Sequence, residues 1–231
     1  MRVGIIGAME LEIAALKNIM GDFDCREFAG MEFFVGSICD KDVVVVRCGV
    51  GKVNAAVCTQ VLADRFDVTH LINIGVAGAL SPKLTVGDIV ICADALQHDM
   101  DASLLGFAKG EIPYMGKATF DADHDMRRLA VTAAAKVCRN LTVMEGRVLS
   151  GDQFIAAKET KDKLLREFQG DCTEMEGASV AQVAHINNIP FLIIRAISDQ
   201  ADGNGKQSFE EFAPQAAANV TRLTEKLLEL M

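Results

Sequence analysis

The sequence predicts an α/β fold: a single-domain three-layer sandwich, with a central, twisted, mixed but mostly parallel β-sheet flanked by helices. Two observations carry this. Apolar, β-rich runs alternate along the chain with amphipathic helical ones, the order that builds a sheet through crossover helices. Several β-rich runs, VVVV at 43–46 and FLII at 191–194 among them, are continuously apolar, as strands buried on both faces must be. A third observation sets the domain count. No repeat, low-complexity stretch or Pro/Gly/Ser-rich linker divides the 231 residues, which places one domain over 1–231. A chain of this length buries roughly three quarters of the surface that its unfolded form exposes.

The elements follow in order. The first strand, Arg2–Gly7, is bracketed by Gly4 and Gly7, and a helix over Glu10–Met20 opens at once with Glu10 and Glu12. Strands follow at Glu32–Ile38 and Val43–Gly49; the second ends in Gly49-Val50-Gly51-Lys52, where a helix over Lys52–Phe66 starts. The next strand, Thr69–Ile74, ends in Gly75-Val76-Ala77-Gly78-Ala79. A strand at Asp88–Ala95 and a helix at Asp123–Arg139 precede the strand Thr142–Ser150. Helices are expected over Lys158–Phe168 and Glu176–Asn187, the second entered through the acid-rich CTEMEGAS. The strand Phe191–Ser198 ends at Asp199. The last helix, Phe209–Leu230, sets Val220, Leu223, Leu227 and Leu228 on one stripe. In such sheets ligands sit beyond the carboxyl ends of strands, so the turns leaving them are where chemistry is sought.

Composition removes several function classes. The net charge of −9, without clustered Lys or Arg, speaks against nucleic acid or an anionic membrane as partner. The opening MRVGIIGAMELE has too short an apolar run for a signal peptide and no cleavage site. No later run approaches the ~18 apolar residues of a membrane span. The seven cysteines form no C-x-x-C pair and no metal-like spacing with the four histidines. They are expected as free, mostly buried thiols in a reducing cytoplasm, with no metal site. No cofactor is expected either: GIIGAME lacks the G-x-G-x-x-G spacing, and Gly49-x-Gly51-Lys52 is not a Walker A loop.

The acids say more than the glycines. Glu12, the pair Glu174 and Glu176, and Asp199 stand at three strand exits of one sheet. Taken singly, acids near helix starts are most often caps or dipole partners. Together they can line one crevice, and several carboxylates in a crevice suit hydrolysis of a glycosidic bond. One protonates the leaving group, another activates water, and negative charge stabilises the sugar cation between them.

GIIGAMELE, GVGKVNAA, NIGVAGAL, VGDIV, SGDQFI, EMEGA and RAISD, collinear from Met1 to about Phe212, resemble the 5′-methylthioadenosine/S-adenosylhomocysteine nucleosidases of the nucleoside phosphorylase/nucleosidase superfamily. The resemblance implies a nucleoside phosphorylase-like fold, a homodimer and cleavage of adenine from a 5′-thio-substituted ribose. It makes Glu12 the base that activates water and Asp199 the acid that protonates adenine N7, with Ser198 holding its carboxyl group. Glu176 would bind the ribose 2′ and 3′ hydroxyls, Met175 would pack on the sugar, and Arg195 would steady the Glu176 region. Phe154 would stack on the purine while the backbone of Ile155 reads its edge. Ala8, Met9, Val50, Ala77 and Gly78 would complete the wall. Leu105, Phe107 and Pro113, from QHDMDASLLGFAKGEIP, would cover the 5′ substituent from across the dimer interface.

Three positions, in two segments, depart from the family pattern. Val76 replaces a frequent serine, and Leu105 and Phe107 stand where Phe and Tyr are common. Without the matched blocks, Phe154 and Met175 would read as core residues and Arg195 as a structural ion-pair partner. The rival readings are a phosphorylase of the same fold, a non-catalytic adenine-nucleoside-binding protein, and a hydrolase of another adenine nucleoside such as 5′-deoxyadenosine.

Overall fold

The structure, a computed structural model, describes residues 1–200 and 205–231. Its strands are β1 (Arg2–Gly7), β2 (Asp24–Phe28), β3 (Met31–Ile38), β4 (Lys41–Arg47), β5 (His70–Ala79), β6 (Ile89–Gln97), β7 (Thr119–Asp121), β8 (Val143–Ser150), β9 (Cys172–Glu174) and β10 (Phe191–Asp199). Its helices are α1 (Glu10–Met20), α2 (Lys52–Phe66), α3 (His124–Val137), α4 (Lys158–Phe168), α5 (Gly177–Ile186) and α6 (Gly205–Leu230).

The sheet is mixed, as the sequence suggests. Its order is β10-β6-β8-β9-β5-β1-β4-β3-β2, with β7 added to β6. The pairs β1–β4, β1–β5, β5–β10, β6–β8 and β8–β9 are parallel; β2–β3, β3–β4, β5–β9, β6–β7 and β6–β10 are antiparallel. Because β10 pairs with β5 as well as β6, the strands β5, β10, β6, β8 and β9 close into a ring. α1 and α3 pack on α6, and α2 packs on α5, giving the outer layers.

Val43 to Val46 and Leu192 to Ile194 are buried on both faces, which is why these runs do not alternate. Val220, Leu223, Leu227 and Leu228 of α6 are buried against this core, each contributing roughly 1.5–3 kcal/mol. α4 joins a smaller apolar cluster through Leu164 and Phe168, which meet Leu80, Leu96, Leu149 and Ile155.

Several elements differ from the sequence expectations. The expected turn Gly75–Ala79 is strand: β5 continues because Gly75 to Gly78 pair with β10, and Gly78 and Ala79 with β9. β6 likewise runs on to Gln97, held by β8. The unforeseen strands β2, β7 and β9 are an exposed ribbon and two three-residue pieces, too short or too polar to show an apolar pattern. Asp123 and Glu176 are N-caps rather than first helical residues, and Asp123 accepts the amides of Asp125 and Met126. α6 starts at Gly205, four residues earlier than its apolar stripe implies. Among the described residues no helix is long and apolar enough to cross a membrane. The seven cysteines are free thiols; Cys25 and Cys39 are exposed and the other five buried.

Candidate active site

A cavity of about 450 Å³ opens where β1, β4, β5, β8, β9 and β10 end, within the size of small-molecule sites. Ala8, Met9 and Glu12 enter it from the β1–α1 turn, Val50 from the β4–α2 turn, and Ala77 and Gly78 from β5. Phe154 and Ile155 follow β8, Met175 and Glu176 lie between β9 and α5, and Ser198 and Asp199 end β10. These residues, spread from Ala8 to Asp199 in sequence, are the ones the acids and matched blocks single out.

Glu12 is held in one orientation. Its Oε2 accepts the amides of Ala8 (2.7 Å) and Met9 (2.9 Å), and its Oε1 accepts the amide of Val76 (3.1 Å). Burial raises its pKa above 4.5, while the Arg195 charge and the three amides oppose the rise. Val76 contributes its backbone to this geometry, so the serine-to-valine departure leaves the orientation of Glu12 intact.

Gly75 makes the approach possible. A Cβ there would lie 2.6 Å from Glu12 Oε1, and Glu12 could yield only by giving up backbone bonds. Gly75→Ala is therefore expected to lower kcat/KM by roughly 10–100-fold through displacement of Glu12. Steady-state kinetics beside a melting curve checks this: unchanged kcat/KM would show that Glu12 has room to move.

Glu176 caps α5 and accepts the Gly51 amide at 2.8 Å through Oε1. Burial, then the neighbouring Glu174 carboxylate, push its pKa up to about 8, against the Gly51 amide and Arg195. Glu174 itself is committed to structure: it accepts the amides of Glu176 (3.1 Å) and Gly177 (2.8 Å), the Ser150 hydroxyl, and Nε (3.2 Å) and Nη2 of Arg195. Asp199 is 2 % exposed, and Ser198 Oγ donates to its Oδ2 at 3.0 Å.

Two groups of expected residues lie elsewhere. Arg195 does not line the cavity. It is enclosed beneath it, bonded to Glu174, Asn73 and the Asn73 carbonyl, because its place in β10 faces the ring interior. It steadies Glu176 only through Glu174 and its charge. Leu105, Phe107 and Pro113 also lie outside the cavity of their own chain; Phe107 packs edge-on against Tyr114, with ring centres 5.5 Å apart.

Conversely, Gln153, Thr173, Phe209 and Glu210 line the cavity without having been singled out. Phe209 meets Phe154 edge-to-face at 6.1 Å, at the mouth. Gln153 stood inside SGDQFI and could have been included; Phe209 and Glu210 merely open an amphipathic helix and carry no local signal.

The phosphorylase superfamily pattern matches residues 2–229. A 5′-methylthioadenosine/S-adenosylhomocysteine nucleosidase of Staphylococcus haemolyticus is 37% identical over 230 residues, 99% of this chain and 100% of the relative. The chain belongs to this nucleosidase family of the phosphorylase superfamily. A solved structure of the Neisseria meningitidis nucleosidase, in complex with methylthio-immucillin-A, superposes with a TM-score of 0.96 at 35% identity, covering 100% of this chain and 99% of that one. The futalosine hydrolase of Helicobacter pylori is also similar, with a TM-score of 0.95 at 31% identity and coverage of 100% and 98%. In this member of the family, β9 and β10 of the ring and the adjoining β1–α1 turn bring Glu176, Asp199 and Glu12 to one cavity.

Proposed function

We propose that the protein hydrolyses the N-glycosidic bond of 5′-methylthioadenosine and S-adenosylhomocysteine, releasing adenine and the 5′-thioribose. The observation that carries this reading is the charge of the cavity wall. It holds Glu12, Glu174, Glu176, Asp199 and Glu210, and no Lys, Arg or His among the described residues. A phosphate dianion would find no cationic side chain on that wall, whereas a sugar cation and a neutral water are accommodated. This favours hydrolysis over phosphorolysis on the same fold.

In this reading Asp199 donates a proton to adenine N7, since adenine is a poor leaving group as an anion, and Ser198 holds the carboxyl in place. Charge develops on the ribose as the bond stretches, and Glu176 beside the 2′ and 3′ hydroxyls stabilises it. Glu12 takes a proton from the attacking water. Phe154, half exposed at the mouth, is free to stack on the purine; buried Ile155 offers its backbone, and Met175 packs on the sugar.

The working unit is a homodimer in the cytoplasm. Leu104, Leu105 and Tyr114, and Val53 and Val57 of α2, are exposed apolar side chains of the kind that a second copy would cover. Leu105, Phe107 and Pro113 of one subunit then close the 5′ side of the other's cavity. Seven free thiols suit a reducing compartment.

Product analysis with 5′-methylthioadenosine, with and without phosphate, tests the reaction. Adenine and free methylthioribose at a phosphate-independent rate are expected. Methylthioribose 1-phosphate, formed only with phosphate, would make the protein a phosphorylase and remove Glu12 from its role.

A further inference from the structure

Lys52, the first residue of α2, lies outside the cavity and is part of no step above, yet its side chain and backbone bond to four residues on three other elements or strand exits. Its Nζ donates to Asp99 Oδ1 (2.7 Å) and Gln97 Oε1 (3.0 Å), both at the exit of β6. Its amide donates to Asp152 Oδ1 (2.8 Å), after β8, and its carbonyl accepts the Ser179 hydroxyl of α5 (2.7 Å). The second oxygen of Asp99 accepts the Asp152 amide (3.0 Å). Lys52, Asp99 and Asp152 therefore bond in a closed cycle joining three strand exits.

This differs from an ordinary surface ion pair, which contributes little. The Lys52 and Asp99 side chains are only 18% and 19% exposed, and both oxygens of Asp99 are used. Burial alone would raise the Asp99 pKa, but the Lys52 ammonium and the Asp152 amide outweigh it and hold the carboxyl below its ordinary range. The cycle also has two outputs. Gly51, with φ of +98°, places its amide 2.8 Å from Glu176 Oε1 one residue before Lys52. Gln153, Phe154 and Ile155 follow directly on Asp152. Neither Lys52, Asp99 nor Asp152 lines the cavity.

We infer that Lys52 and Asp99 are positioning residues: their ion pair, closed through Asp152, sets the ribose-side acid and the purine-side wall relative to each other without touching substrate. The inference rests on the hydrolase reading for its assay. Glu12 is oriented by the amides of Ala8, Met9 and Val76, outside the cycle, so loss of the cycle loosens substrate binding more than it disturbs the base.

The test compares Asp99→Asn and Lys52→Met, which keep side-chain shape, with the parent protein on 5′-methylthioadenosine and its 2′-deoxy analogue. Each variant is expected to raise KM for the riboside roughly tenfold with kcat within about threefold. Discrimination against the 2′-deoxy analogue should fall as Glu176 loses its fixed orientation. The double variant should be no worse than the worse single one, because both act through one cycle. A riboside KM within twofold of the parent in Asp99→Asn would overturn the inference, as would unchanged 2′-deoxy discrimination or multiplicative single effects. If Lys52→Met fails to fold, the isosteric Asp99→Asn carries the test alone. A parent protein that binds the nucleoside without cleaving it would count against the hydrolase reading instead, and the same variants would then be compared through Kd.

Discussion

Asp199→Asn is expected to lower kcat for 5′-methylthioadenosine by about 10³-fold while the protein still folds and binds nucleoside. The substitution keeps size and leaves an oxygen that can accept the Ser198 hydroxyl, now at 3.0 Å from the carboxyl. What it removes is an acidic proton in a water-poor position at the end of β10. Without that proton adenine must leave as an anion, and the cavity wall, rich in carboxylates, stabilises an anion poorly. A single-turnover assay together with a binding measurement separates the two effects. A variant retaining a tenth of the parent rate would end the general-acid assignment.

The second large effect is expected at Glu12. Glu12→Gln should cost about 10²–10⁴-fold in kcat/KM, because an amide cannot take the proton of the attacking water. It should also change how stability depends on pH, and the sign is informative. The folded-state pKa of Glu12 lies above 4.5 chiefly through burial. Its contribution to stability is therefore fully present below about pH 4.5 and is lost as pH rises through the folded value. Glu176, pushed up to about 8, has the same sign, so the parent protein should lose stability between roughly pH 4.5 and 8. Glutamine does not titrate. The stability of the variant relative to the parent should rise as pH climbs from about 4.5 through the folded-state value of Glu12, at no more than about 1.4 kcal/mol per pH unit. Denaturant unfolding at several pH values measures it, and a constant difference would mean that Glu12 is already ionised throughout. Glu12, Glu174 and Glu176 crowd one buried arginine, an arrangement that costs resting stability as the carboxyls ionise.

Much of this was written locally. The alternation of helical and continuous apolar strand runs encodes the layers, because burial on one stripe or on both faces leaves a periodic trace in any segment. Glu12, Glu176 and Asp199 were legible as acids at strand exits, and SGDQFI and EMEGA supplied Phe154, Ile155 and Met175 of the cavity wall. Only the tertiary structure decided what depends on partners distant in sequence. Gly75–Ala79 looks like a turn until β9 and β10 pair with it, and those pairings close the ring that no single strand specifies. Arg195 reads as a site residue until the interior it faces is known to hold Glu174 and Asn73. Phe209 and Glu210 reach the cavity because α6 crosses it, and Lys52 becomes a junction because the exits of β4, β6 and β8 converge on it. Periodicity records which face of a segment avoids water; the identity of the neighbour across that face is set by chain closure over long loops, and leaves no local record.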